Sequence, residues 1–153
     1  MTWAISQATI ADARWIAPRM SVADAAEVWA AGRRIPLDAL LHSMEMSIEA
    51  WTWRFDGEPA CMSGVAVPSL LGEWANPWLL TTPLVRRHPV GFIRAYRGES
   101  ERVLRLFPRL VTMVDARHSV CLRWMQWIGC EIGEAEPYGV GGELFRRVSL
   151  ARA

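Results

Sequence analysis

The sequence predicts a mixed α/β domain: a central sheet of mixed strand direction with helices packed on it. Three observations predict it. The first third shows apolar residues at helical spacing behind repeated cap residues, the middle holds an alternating aromatic run ending in Asp56-Gly57, and the remainder alternates strand-like with helix-like segments. A length of 153 residues suits a single domain, residues 1–153, large enough to bury one core. The 52% hydrophobic and 22% charged content is that of an ordered globular chain.

A short strand opens near Trp3–Ile5. Thr9 followed by Asp12 reads as the start of a helix running to about Arg19, and Ser21 followed by Asp24 opens a second, Val22–Ala31, closed by Gly32. Pro36 suits a first helical position, and Leu37, Leu40, Leu41, Met44 and Ile48 carry the spacing of a third helix to about Glu49. Trp51, Trp53 and Phe55 then alternate with Thr52 and Arg54 as a half-buried strand does. Asp56-Gly57 supplies a tight turn, and Ala60–Val67 returns, with Gly64 marking a bulge or a close backbone approach. Pro68–Pro77 reads as a loop and Trp78–Val85 as a strand. Pro89–Leu106 is a long helix, Leu110–Asp115 a strand buried on both faces, and Ser119–Gly129 a helix with Val120, Trp124, Trp127 and Ile128 on one stripe. Cys130–Glu136 and Glu143–Leu150 are the last strands, joined through the Gly139–Gly142 turn region.

Charge narrows the function classes. All 17 basic side chains are arginine, which excludes any mechanism needing a lysine, such as a Schiff base or a P-loop. Residues 1–76 hold 5 Arg against 9 acids, and residues 77–153 hold 12 against 7; within these, residues 86–123 hold 9 against 3. A local anion site fits this distribution; a uniform basic coat for nucleic acid does not, and Arg94, Arg97, Arg102, Arg105 and Arg109 do not share one helical stripe. Cys61, Cys121 and Cys130 lack metal-ligand spacing and read as free thiols of a reducing compartment. With neither a signal-peptide pattern nor a long apolar run, the expected location is the cytoplasm.

The element order β-α-α-α-β-β-β-α-β-α-β-β resembles the GNAT acyl-CoA N-acyltransferase fold along nearly the whole chain. The resemblance is most specific at Val114–Cys130, where a strand ends, a helix opens and Ile128-Gly129-Cys130-Glu131 fits the family's closing phrase. The Asp56-Gly57 hairpin matches the antiparallel pair ahead of the cofactor strand. In spacing, Phe107–Ile128 is also similar to small GNAT-like proteins of tailed phages, some linked to virion assembly.

The resemblance implies acetyl-CoA as cofactor and an amine as acceptor. It places the pyrophosphate at Arg86-Arg87-His88-Pro89-Val90-Gly91, with Arg86, Arg87 and Gly91 as the cofactor-binding residues. The first glycine of the usual phrase falls on Pro89, which has no N–H. The tyrosine that commonly protonates the departing thiolate falls on Met125, which cannot donate a proton; Tyr138, in a nearby loop, is the substitute. The family's Asn position falls on His118, read as a base, a helix-start group or an exposed side chain. Glu73, among Trp74 and Trp78, is a candidate base if an apolar setting raises its pKa and a solvated loop carboxylate otherwise; Glu45 and Glu49 are similar candidates. Two functions follow: an acyl-CoA-dependent N-acetyltransferase, or a non-catalytic phage protein acting in virion assembly or on a host or virion protein.

Overall fold

A computed structural model describes residues 2–68 and 73–153. The strands are β1 (Trp3–Gln7), β2 (Ser47–Phe55), β3 (Glu58–Ala66), β4 (Trp74–Thr81), β5 (Arg109–Asp115), β6 (Glu131–Tyr138) and β7 (Glu143–Ala151). The helices are α1 (Ile10–Ile16), α2 (Val22–Gly32), α3 (Pro36–Met46), α4 (Pro83–Arg87), α5 (Pro89–Leu106) and α6 (Ser119–Ile128), with one 3₁₀ turn at Ala17–Arg19. The strands form one seven-stranded sheet in the order β1-β2-β3-β4-β5-β7-β6. All neighbours are antiparallel except β4 and β5, which run parallel.

The hairpin forms as its alternation requires. Asp56 and Gly57 both take positive φ (48° and 86°), the backbone of a two-residue turn whose twist suits β2 and β3. Gly64 is a close approach: a Cβ there would lie 2.6 Å from the Trp78 ring, which donates from Nε1 to Ser47 Oγ at 2.7 Å. Thr9 caps α1 by accepting the Asp12 N–H at 3.1 Å. The Asp12 carboxylate in turn takes Thr52 Oγ1 (2.8 Å) and Arg54 (2.7 Å) and pins α1 to β2.

Each face of the sheet buries its own core. Ile16, Leu40, Met62 and Leu80 meet under α1 and α3. Trp53, Phe92, Tyr96, Val114, Met125 and Ile128 meet under α5 and α6, with Trp53 and Trp124 both against the Phe92 ring. A third cluster, Val65, Ala75, Val103, Leu104 and Leu110, closes the base of the β4–β5 junction.

Several boundaries and roles differ from the expectation. The third helix stops at Met46, not Glu49, because Ser47 turns extended and Ser47 and Glu49 pair with β3. The fourth strand begins at Trp74 and ends at Thr81, since Trp74 and Ala75 pair with β5 and Pro83 then opens a short helix. The expected Pro68–Pro77 loop lies partly outside the described residues. Gly32 is the last residue of α2 and Arg33 supplies the left-handed closing turn (φ 55°), its side chain bonded to Trp29 O and Glu143. Ser21 does not cap α2, because its hydroxyl is spent on β4. On α6 the buried side chains are Met125 and Ile128; Trp127 is half-exposed with Arg97 over its ring.

Candidate active site

The candidate site lies where β4 and β5 part. They share only the pairs Trp74–Arg109 and Ala75–Leu110 and then diverge towards their C-terminal ends. Thr82 N–H still turns to β3, at Ala60 O, so by alternation Thr81, Leu79 and Pro77 direct their backbone groups into the gap. Pro77, which pairs with Val65 of β3, has no N–H to direct there, as suits a strand side with no bonded neighbour.

Helix α2 fills the wide end of this seam. Ser21 donates its N–H (2.8 Å) and hydroxyl (3.0 Å) to Thr81 O. Asp24 accepts the Thr81 N–H at 2.9 Å and the Thr81 hydroxyl. Glu27 accepts the Asp115 N–H at 2.9 Å from the other side. Positions 21, 24 and 27 are three apart, so Ser21 just ahead of α2 and one face of the helix together serve both strand ends. From the start of α6, His118 Nε2 meets Asp24 Oδ1 at 2.7 Å while Nδ1 accepts the Cys121 N–H at 3.4 Å. Asp115 holds Arg117 through two side-chain bonds.

The electrostatics are those of a crowded acidic cluster. Burial pushes the Glu27 carboxyl up to about 7, more than the Asp115 N–H and His118 pull it down, with Asp24 and Asp115 adding repulsion. His118 is disfavoured as a cation by burial, yet its bond to Asp24 and the charges of Asp24 and Glu27 leave its pKa raised. Arg117 and its hydrogen bonds hold Asp115 low. A carboxyl near 7 beside a histidine is suited to take a proton at neutral pH. The pocket lined by Ser21, Asp24, Thr81, Arg86, His118 and Cys121 has a volume of about 30 Å³, room for a water or two.

The expected site residues divide. His118 is half-buried, not exposed, and acts as a helix-start group tied to Asp24. Arg86 is exposed in the last turn of α4 and lines the seam pocket; Arg87 is exposed beside it. Both precede α5, an 18-residue helix whose start has no side-chain cap. Gly91 lies in the first turn of α5, 3.3 Å (from a built Cβ) from the Trp3 ring. Met125 is core. Tyr138 ends edge strand β6, half-exposed on the Phe145 ring. Glu73 is exposed ahead of β4, at the paired end of the seam. Glu45 is exposed on α3, and Glu49 binds Arg102 across to α5. Asp24 and Glu27 were not among the expected residues; the Ser21-Asp24 pair had the look of a helix cap.

Solved structures share this architecture. An acetyltransferase of the GNAT family from Bacillus anthracis superposes with a TM-score of 0.71 at 9% identity, covering 97% of this chain and 94% of that one. A ribosomal-protein-alanine N-acetyltransferase from Brucella melitensis gives 0.70 at 12%, covering 97% and 99%. A putative acetyltransferase from Salmonella typhimurium, described with its cofactor acetyl-CoA, gives 0.68 at 13%, covering 99% and 94%. This is the GNAT fold. At such identities what the chain shares with GNAT proteins is the fold. No protein-family model and no curated protein sequence matches it. The GNAT element order expected from sequence is present, and so is the parting of two parallel central strands. Among the described residues no group of His, Cys, Asp and Glu could hold a metal ion, and no helix is long and apolar enough to cross a membrane.

Proposed function

We propose that the protein is an acyl-CoA-dependent N-acyltransferase with its chemistry at the wide end of the β4–β5 seam. The observation that carries this reading is Glu27, a carboxyl raised to about 7 where the two strands part in a fold shared with acetyltransferases. Acetyl-CoA supplies an activated acyl group. Arg86 and Arg87, beside the uncapped start of α5, suit its phosphates. Glu27 would take a proton from an acceptor ammonium and so leave a free amine, the form an activated acyl donor requires. At the phosphate end Arg86 and Arg87 suit the anion but Pro89 offers it no N–H, and the seam end, occupied by α2, does not fit a thioester arm in this arrangement.

The test is thiol release from acetyl-CoA with a panel of primary amines. Glu27→Gln is expected to lower kcat about 100-fold, the contribution of a positioned base, and to remove the rise in rate across pH 7. Changing both Arg86 and Arg87 to Ala is expected to raise KM for acetyl-CoA and leave kcat largely intact. Equal thiol release by wild type and Glu27→Gln at every pH would refute the assignment.

Met125, buried where the resemblance asks for a proton donor, and Pro89, without an N–H at the phosphate position, favour a second reading. In it the domain is a non-catalytic phage protein that binds a host or virion protein during virion assembly. Absence of thiol release with any amine at millimolar acetyl-CoA, together with a stable complex with a virion protein, would select it.

A further inference from the structure

We propose that α2 is a latch across the seam: Ser21, Asp24 and Glu27 satisfy the strand-end groups of β4 and β5 from within the chain, and the Asp24–His118 bridge holds the helix there until an acyl thioester arm displaces it.

Each part rests on an interaction already described. Backbone groups at a parted strand end need partners, and α2 supplies them to Thr81 N–H, Thr81 O and Asp115 N–H. These groups are bound only by side chains and by Ser21, the residue just ahead of the helix, so they can be released without breaking a strand pair. His118, the residue that caps α6, is bonded to Asp24 of α2, and it reaches a carboxylate already holding β4. The far end of α2 is anchored separately: Val140 N–H bonds Ala31 O at 3.2 Å, and Arg33 pairs with Glu143 at 3.0 Å. Release of the Asp24 bridge therefore leaves the Ser21 end held only through its contacts with Thr81, and loosens that end before the Ala31 end. The narrow pocket of about 30 Å³ is the state the latch maintains.

Cys121 reports the opening directly. It lines the pocket, and burial holds its thiol well above the ordinary range, so a thiol reagent reaches it slowly while the seam is shut. Two variants release the bridge without removing a cap or an acceptor. Asp24→Asn keeps an oxygen for the Thr81 N–H; His118→Asn keeps an α6 cap but is too short to reach Asp24. Labelling of Cys121, resolved by peptide mass and compared with the fully buried Cys61, is expected to accelerate about 10-fold in both variants with Cys61 unchanged. Unchanged Cys121 rates in both, or equal acceleration at Cys61, would overturn the latch. The displacement by a thioester arm rests on the acyltransferase reading and is scored separately: both variants are expected to bind acetyl-CoA more tightly than wild type in calorimetry. Accelerated labelling with no acetyl-CoA binding by any form would leave the latch standing and sink that reading and its thioester trigger.

Discussion

Glu27 is a glutamate on an ordinary amphipathic helix by sequence, and only its neighbours make it unusual. Its carboxyl sits between the Asp115 N–H and two other carboxylates, and burial dominates. A pKa raised from 4.5 to about 7 means that the folded form binds the proton more tightly than the unfolded form. Stability from this group is therefore full below pH 4.5, declines as pH rises towards 7 and is level above it. His118 adds a decline of the same sign, because its raised pKa stabilises the fold below 6.5 and that contribution is lost as pH rises through the folded value. Glu27→Gln keeps the acceptor oxygen and removes the first decline only. Melting temperatures from pH 4 to 9 are expected to fall less for Glu27→Gln than for wild type, with the residual fall confined to the region above 6.5. Parallel curves would show that Glu27 titrates normally. His118 was legible as a helix-start residue from its position before α6, but its bond to Asp24, 94 residues away, was not.

At the scale of elements, local chemistry was the better guide. Thr9, Pro36, Asp56-Gly57, Pro89 and Gly129 each act within a few residues, and each marks the boundary where it was read. Three errors fall where a boundary depends on a distant strand: the end of α3, the start of β4, and Ser21, whose hydroxyl is taken by Thr81; a fourth is local, the strand read through Val85 where Pro83 opens α4. Gly57 and Gly64 separate the two kinds of requirement. Gly57 needs positive φ with nothing within 4 Å, so Gly57→Ala is expected to cost about 1 kcal/mol through backbone strain alone. Gly64→Ala would press on a Trp78 ring fixed by its bond to Ser47, and is expected to cost about 2–3 kcal/mol through overpacking. Urea midpoints at unchanged m-value test the order; a Gly64→Ala cost below that of Gly57→Ala would mean that the ring can give way.

Across the whole molecule, the seam divides a rigid part from a releasable one. Strand β3 is paired on both sides and almost wholly buried, whereas Thr81 and Asp115 hand their amides to α2 side chains. Native-state hydrogen exchange is expected to show the Thr81 and Asp115 amides opening at lower free energy than that of Met62, together with one another and with the first turn of α2. Exchange of all of them only through global unfolding would mean that α2 and the sheet form a single cooperative unit. By itself the sequence determined the order of elements, the hairpin, the mixed sheet and the basic segment before the long helix, because periodicity, caps and turn residues act over short separations. Only the tertiary structure decided that two acids of α2 stand at the parted strands, that His118 bridges to one of them, that Arg86 reaches the same pocket and that Glu73 lies at the opposite end. Those relations join residues about 60 to 90 positions apart, and their electrostatics depend on shared burial, which no local pattern encodes.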